Sequence, residues 1–86
     1  MKTFDELKSL LTKDLAELRQ LEASRFTSIE KRHVKEQAIG WLCYEAEEDL
    51  ATLELNMLKR TLGISESRWR AYKAKFIAGS SPEDLT

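Results

Sequence analysis

Proline, glycine, cysteine and histidine are scarce in this sequence. Its 86 residues include one proline, three glycines, one cysteine and one histidine. A strand-rich domain needs more turn residues than this, and an apolar share of 42% is too high for a disordered chain. The single cysteine, Cys43, excludes an internal disulfide and any zinc site built on pairs of cysteines. The composition predicts one all-α domain.

Long apolar segments are also missing. No run of apolar residues is long enough to cross a bilayer, and no apolar segment of the kind found in signal peptides follows Met1. We therefore expect a cytoplasmic protein that makes no membrane contact.

The spacing of apolar residues predicts a bundle of three helices. These residues recur every three or four positions over residues 3–22, where Thr3 and Glu6 also form a capping box. Two apolar stripes then stay in phase over residues 28–62, which predicts one long central helix. A shorter amphipathic pattern predicts the third helix over residues 65–78.

The three helices are predicted to form a single domain over residues 1–79. Gly79 provides a stop for the last helix, because glycine readily adopts the left-handed conformation found after helix ends. The remaining segment, SSPEDLT at residues 80–86, begins like another helix, with Ser81 as its cap and Pro82 at its first position. Few residues follow that start, so we predict a C-terminal tail.

The length of the central helix predicts a homodimer. A helix over residues 28–62 is about 50 Å long, so each of the two shorter helices would cover only one half of it. Each half of the bundle would then be two helices thick, which is too thin to bury both apolar stripes. The turn IGWLCYEA is apolar all round, and such a turn is buried on every side. The alternative is a break near Gly40, which would give a compact monomer of four helices. The residues predicted to contact the second copy or another partner are Ile39, Trp41, Leu42 and Tyr44.

Charge is distributed unevenly, although the net charge is only −1. Residues 1–58 hold 8 lysines and arginines against 12 acidic residues. Residues 59–75 hold six basic residues against Glu66 alone. This asymmetry points to a partner that meets the basic segment.

The same segment carries a recognisable pattern of helix, glycine turn and helix. Its pattern positions are Leu58, Leu62, Gly63, Ile64 and Trp69. In these positions the segment resembles the helix-turn-helix of small phage-type repressors. The resemblance implies a DNA-binding regulator that uses residues 54–77. Lys59 stands where that family has a small residue, and the alternative is an ordinary helical hairpin with a solvated basic face.

The residue types needed for catalysis or metal binding are not brought together by any pattern. Glu30 and His33 form one Glu-x-x-His pair, whereas a two-metal site in a helical bundle needs two. Cys43 lies about 15 Å from His33 along the predicted helix, too far for a catalytic pair. Three glycines leave no phosphate-binding loop. The acidic residues within 45–49 are predicted to form a solvated face, and we expect no enzyme, cofactor, metal or small-molecule substrate.

Without chemistry of its own, the chain is expected to act through its surface. Tryptophan, tyrosine and arginine dominate the energetics of protein interfaces. We therefore predict a small regulator or inhibitor that binds a larger protein, with DNA as the alternative partner. For Trp41 and Trp69 the alternative is an ordinary core position. The residues predicted to bind the partner from the last helix are Ser67, Arg68, Trp69, Arg70, Lys73 and Lys75.

Overall fold

The computed structural model describes residues 1–24 and 29–79. Helices make up 88% of these residues, and no strand occurs among them, which confirms the prediction of an all-α fold. The predicted tail at 80–86 lies outside the described residues. The helices are α1 (Phe4–Ala23), α2 (Ile29–Asp49), α3 (Thr52–Leu62) and α4 (Glu66–Gly79).

The prediction of one helix over residues 28–62 is wrong, because the chain turns between α2 and α3. Ala51 has extended backbone angles, with φ −69° and ψ 160°. The Ala51 backbone N–H donates to Oε1 of Glu54 at 3.3 Å, but an alanine side chain cannot cap the helix in return. The four-helix alternative placed the break near Gly40, and α2 runs through that residue without interruption.

Gly40 marks a close crossing of α2 and α4 instead of a break. A Cβ atom at this position would overlap the carbonyl oxygen of Tyr72 and would lie 2.7 Å from Cβ of Phe76. Real Cβ atoms do not approach other heavy atoms this closely. Glycine is therefore required here because the backbones of two helices touch.

The ends of the outer helices follow the signals in the sequence. At α1, Oγ1 of Thr3 accepts from the Glu6 backbone N–H at 3.2 Å, and Oε1 of Glu6 accepts from the Thr3 backbone N–H at the same distance. Gly63, between α3 and α4, has φ 70° in the left-handed region. At the start of α4, Oγ of Ser65 accepts from the Arg68 backbone N–H at 3.2 Å. These local contacts account for the good agreement of both predicted helices with α1 and α4.

Helix α2 lies at the centre of the fold, since it contacts α1, α3 and α4, while α3 also packs on α1. None of the described helices is both long enough and apolar enough to cross a membrane. The buried apolar core consists of Leu7, Leu11, Leu18, Ile39, Leu42, Cys43, Ala46, Leu58, Ile64, Trp69 and Tyr72.

Candidate functional site

The basic segment of residues 59–75 is largely paired with acids of the same chain. Nζ of Lys59 lies 2.9 Å from Oε1 of Glu66. The other two lysines are paired with α2: Lys73 with Glu47 at 2.7 Å, and Lys75 with Glu36 at 3.3 Å. The segment therefore offers less free positive charge than its sequence indicates, although its three arginines are exposed.

Arg70 and Ser67 remain on the surface of α4. The Arg70 side chain is 76% exposed, and its Nε lies 3.7 Å from Oε2 of Glu66. Ser67 is exposed, with its Oγ 3.3 Å from Oγ of Ser65. Both residues are accessible to solvent, and their role in binding a partner stays a prediction.

Trp69 lies in the core and is fully buried. Its Nε1–H donates to Oε2 of Glu47 at 2.8 Å, while Nζ of Lys59 lies 5.0 Å from the centre of its ring. Burial raises the pKa of the Glu47 carboxyl, but hydrogen bonds from Lys73 and Trp69 outweigh it and lower the pKa below its usual value. Trp69 thus anchors α4 to α2 and presents no surface to a partner.

The acidic residues at 45–49 do not form the solvated face predicted from sequence. Nζ of Lys2 donates to Oε2 of Glu45 at 2.8 Å, and the Lys2 backbone N–H donates to Oδ2 of Asp49 at 2.8 Å. Glu47 holds Trp69 as described above. Glu48 is the one acid of the four that is exposed. This face of α2 mainly binds other parts of its own chain.

Trp41, Tyr44 and Phe76 form what we call the aromatic patch, where the middle of α2 meets the C-terminal half of α4. The ring of Phe76 lies 5.2 Å from that of Trp41 and 5.7 Å from that of Tyr44, measured between centroids. Trp41 is 50% exposed, and Tyr44 is partly buried, with Nζ of Lys73 4.9 Å from its ring centre. The other two predicted contact residues, Ile39 and Leu42, belong to the core of this chain.

A separate cleft, which we call the arginine cleft, opens between α1, the α3–α4 turn and α4. Its volume is about 210 Å³. Apolar side chains line part of it, and three charged ones complete it: Arg19, Glu22 and Arg68. Arg68 was among the predicted binding residues, but Arg19 was not. The two are 49 positions apart, and no local sequence signal indicates that they line one cleft.

The groups that could carry chemistry are isolated from one another. The His33 side chain is 46% exposed, and its Nδ1 lies 3.2 Å from Nζ of Lys75 and 3.5 Å from Oε1 of Glu36. Burial, together with the charge of Glu47, raises the pKa of the buried Cys43 thiol to about 12. Among residues 1–24 and 29–79, no group of three or more His, Cys, Asp and Glu side chains could hold a metal ion.

Searches with this chain found no matching protein-family model, no matching curated protein and no matching solved structure. The aromatic patch and the arginine cleft are therefore interpreted from their own geometry.

Proposed function

We propose that this chain is a non-enzymatic, cytoplasmic regulator or inhibitor that binds a larger protein through its helical surface. The observation that carries the proposal is the half-exposed side chain of Trp41. Tryptophan buries on the order of 200 Å², so the exposed half forgoes about 2.5 kcal/mol of burial at 25 cal/mol/Å². Tryptophan is also enriched among the residues that dominate binding energy at protein interfaces.

The setting of Trp41 makes it suitable as an anchor. Its ring rests on Phe76, and it follows Gly40, where α2 and α4 are in backbone contact. A side chain that is already held in place loses little conformational entropy when a partner covers it. Ile77, next to Phe76 in the chain, is 53% exposed and adds apolar surface to α4.

The pairing of the basic residues favours a protein over DNA as the partner. Binding to duplex DNA depends on lysines and arginines that neutralise phosphates and release counterions. Lys59, Lys73 and Lys75 each lie within 3.3 Å of a carboxylate of this chain, and those contacts would have to be given up. Trp69 is an apolar position of the helix-turn-helix pattern, and its burial agrees with that pattern, so it does not decide between the two partners.

A homodimer through the aromatic patch is a second form of the proposal. The argument from a long helix no longer supports it, because α2 ends at Asp49 and α3 covers part of α1. Trp41 remains as the residue that a second copy could cover. Light scattering at micromolar concentration distinguishes the two forms, since a dimer has twice the chain mass.

The proposal is tested by capture of partners on immobilised protein, compared between wild type and Trp41→Ala. Leu53→Ala is the matched control, because Leu53 is a 79% exposed apolar residue on a different helix. For a partner that is enriched, titration calorimetry should give a Kd at least about 30-fold weaker with Trp41→Ala, the effect of losing a hot-spot residue. Leu53→Ala should leave the Kd unchanged.

Two outcomes would contradict the proposal. The first is a partner that binds Trp41→Ala as tightly as wild type. The second is the absence of any enriched protein together with binding of a random-sequence DNA duplex that weakens steeply with salt. The second outcome would support the DNA-binding alternative over residues 54–77.

A further inference from the structure

The side chains that line the arginine cleft carry a net positive charge, because two arginines stand against one glutamate. Arg19 and Arg68 line it together with Glu22. Oε2 of Glu22 lies 3.7 Å from Nη2 of Arg32, which offsets the charge of this carboxylate. Among the described residues, Arg19 has no carboxylate partner. The cleft therefore attracts an anionic group.

Arg68 is held in a fixed orientation at the cleft. Its Nη2 donates to the hydroxyl of Tyr72 at 2.7 Å, and its guanidinium carbon lies 5.6 Å from the centre of the Tyr72 ring. Tyr72 is 5% exposed and belongs to the core, so it provides a rigid support. A guanidinium has five N–H donors in a planar fork, and the bond to Tyr72 uses one of them. The remaining donors can bind a carboxylate, in the geometry that arginine prefers.

The apolar side chains in the lining favour a ligand that carries an apolar group as well as a charge. Leu15 and Leu62, both partly buried, line the cleft beside the two arginines. A ligand that places only charge here would leave these side chains uncovered. At about 210 Å³ the cleft is smaller than the range typical of drug-sized ligands, and it suits one or two amino-acid side chains.

A second depression extends the site on the other side of Arg68 and Tyr72. It has a volume of about 140 Å³, and Lys75 and Ala71 contribute to its lining. Because both depressions share Arg68 and Tyr72, a short extended peptide could occupy them in succession. Glu36 also lines this depression and lies 3.3 Å from Nζ of Lys75, so Lys75 adds little free positive charge along that path.

From these observations we propose that the arginine cleft binds an acidic segment of the protein partner. An Asp or Glu carboxylate of that segment is bound by Arg68 and attracted by Arg19, and a neighbouring apolar side chain packs on Leu15 and Leu62. This inference rests on the proposed function, since it names the chemistry of one part of the partner. It uses none of the residues of the aromatic patch.

The test is selection of binders from a display library of random twelve-residue peptides on the intact protein. The selected peptides should be enriched in Asp or Glu beside Leu, Ile or Phe. Fluorescence anisotropy with the best labelled peptide should give a Kd at least about tenfold weaker for Arg68→Gln and for Arg19→Gln, because each removes a charged partner of the carboxylate. Arg70→Gln is the matched control, with the same charge change on an exposed residue of α4, and should change the Kd less than twofold.

Three results would overturn the inference. The first is a selected set without acidic residues, and the second is an equal loss of binding with Arg70→Gln. The third is displacement of the peptide by inorganic phosphate or by an oligonucleotide of the same charge, which would mean that the cleft recognises charge alone. Helical circular dichroism of each variant establishes that it is folded.

Trp41→Ala separates this inference from the proposed function. Peptides selected on the arginine cleft should bind Trp41→Ala as well as wild type. A captured partner that depends on Trp41 but not on Arg68 would support the proposed function and refute the acidic segment. The reverse dependence would support the acidic segment and refute the role of Trp41.

Discussion

Trp41 and Trp69 lie on the two helices that cross at Gly40, yet their surroundings are opposite. Trp69 is fully buried, its indole N–H bonds to Glu47, and Lys59 covers its ring. Trp41 rests on Phe76 on one side and is 50% exposed. Both tryptophans occur at helical spacing among apolar residues, so the sequence pattern does not distinguish them. The difference depends on whether a neighbouring helix supplies both cover and a hydrogen-bond acceptor.

The comparison also separates stability from binding. The region around Trp69 uses its charges within the chain, because Lys59 lies over the Trp69 ring and Lys73 pairs with Glu47. The region around Trp41 leaves apolar surface uncovered. Substitutions in the first region should therefore reduce stability, and substitutions in the second should reduce binding.

The largest effect is expected for Trp69→Ala. Removal of a fully buried tryptophan costs about 3–5 kcal/mol in the free energy of unfolding, and it also leaves Oε2 of Glu47 without its donor. Trp41→Ala, the matched substitution on the other helix, should cost no more than about 2.5 kcal/mol, since half of the side chain is already in water. Urea unfolding followed by circular dichroism measures both. Equal losses for the two variants would contradict the assignment of different roles.

A smaller loss of stability is expected for Gly40→Ala, which tests the close crossing of α2 and α4. The added methyl group meets the Tyr72 carbonyl and Cβ of Phe76, and overpacking of this kind costs about 1–3 kcal/mol. Because the overlap is with backbone, we expect a cost at the upper end of that range, of which the better helix propensity of alanine offsets only about 1 kcal/mol. Trp41 emission should also change, because Phe76 must move.

Gly63→Ala is the comparison for that substitution. No atom lies within 4 Å of a Cβ at Gly63, so its cost of about 1–2 kcal/mol arises from the left-handed φ of 70° alone. It should leave the emission of Trp41 unchanged. A Gly40→Ala protein as stable as wild type would show that α2 and α4 can separate without loss.

The next prediction is that the contacts of Glu47 in the Trp69 region make the stability of the protein depend on pH. Because the pKa of Glu47 is lowered from 4.5 in the folded state, its ionised form stabilises the protein at neutral pH. That contribution is lost as the pH falls below 4.5 through the folded-state pKa. Glu47→Gln should therefore cost on the order of 1 kcal/mol at pH 7 and flatten the decline in stability at acid pH. Thermal melts between pH 7 and pH 3 measure this slope.

Glu48→Gln is the control on the same helix. Glu48 is exposed and has no partner among the described residues, so its substitution should leave the acid slope as in wild type. An equal flattening by both variants would mean that net charge, and not the Glu47 contacts, sets the pH dependence.

The smallest effect on stability is expected for Trp41→Phe, within about 0.5 kcal/mol, the usual range for surface positions. Its spectroscopic effect should be large, because the remaining tryptophan, Trp69, is fully buried. Emission should shift to shorter wavelength, and quenching by acrylamide should fall strongly. Quenching that stays at the wild-type level would place Trp69, not Trp41, in contact with solvent.

Local signals in the sequence were sufficient for α1 and α4. The capping box of Thr3 and Glu6 and the turn at Gly63 are formed by residues three or four apart, and their geometry follows from the chain alone. The break at Ala51 has no such signal. Alanine is the strongest helix former, neither glycine nor proline is near, and the apolar stripes stay in phase across it.

The candidate site depended on tertiary contacts that the sequence pattern does not contain. Arg19 and Arg68 line one cleft because α1 and α4 both pack on α2. Glu47 accepts a hydrogen bond from Trp69 because α4 packs on α2. The sequence predicted a solvated carboxylate at this position, whereas the structure places it at the edge of the core. For Trp41 the sequence left two alternatives, a contact with a partner and an ordinary core position. It could not decide between them, because the burial of Trp41 depends on how closely the neighbouring helix packs.

The central position of α2 has a mechanical consequence for the arginine cleft. Helices α1 and α4 are its two walls, and each is attached mainly to α2, so the width of the cleft is set by their common support. The two walls are also linked through α3, which packs on α1 and leads into α4. A peptide that contacts both walls would add one more link between them, so we expect it to reduce their relative motion.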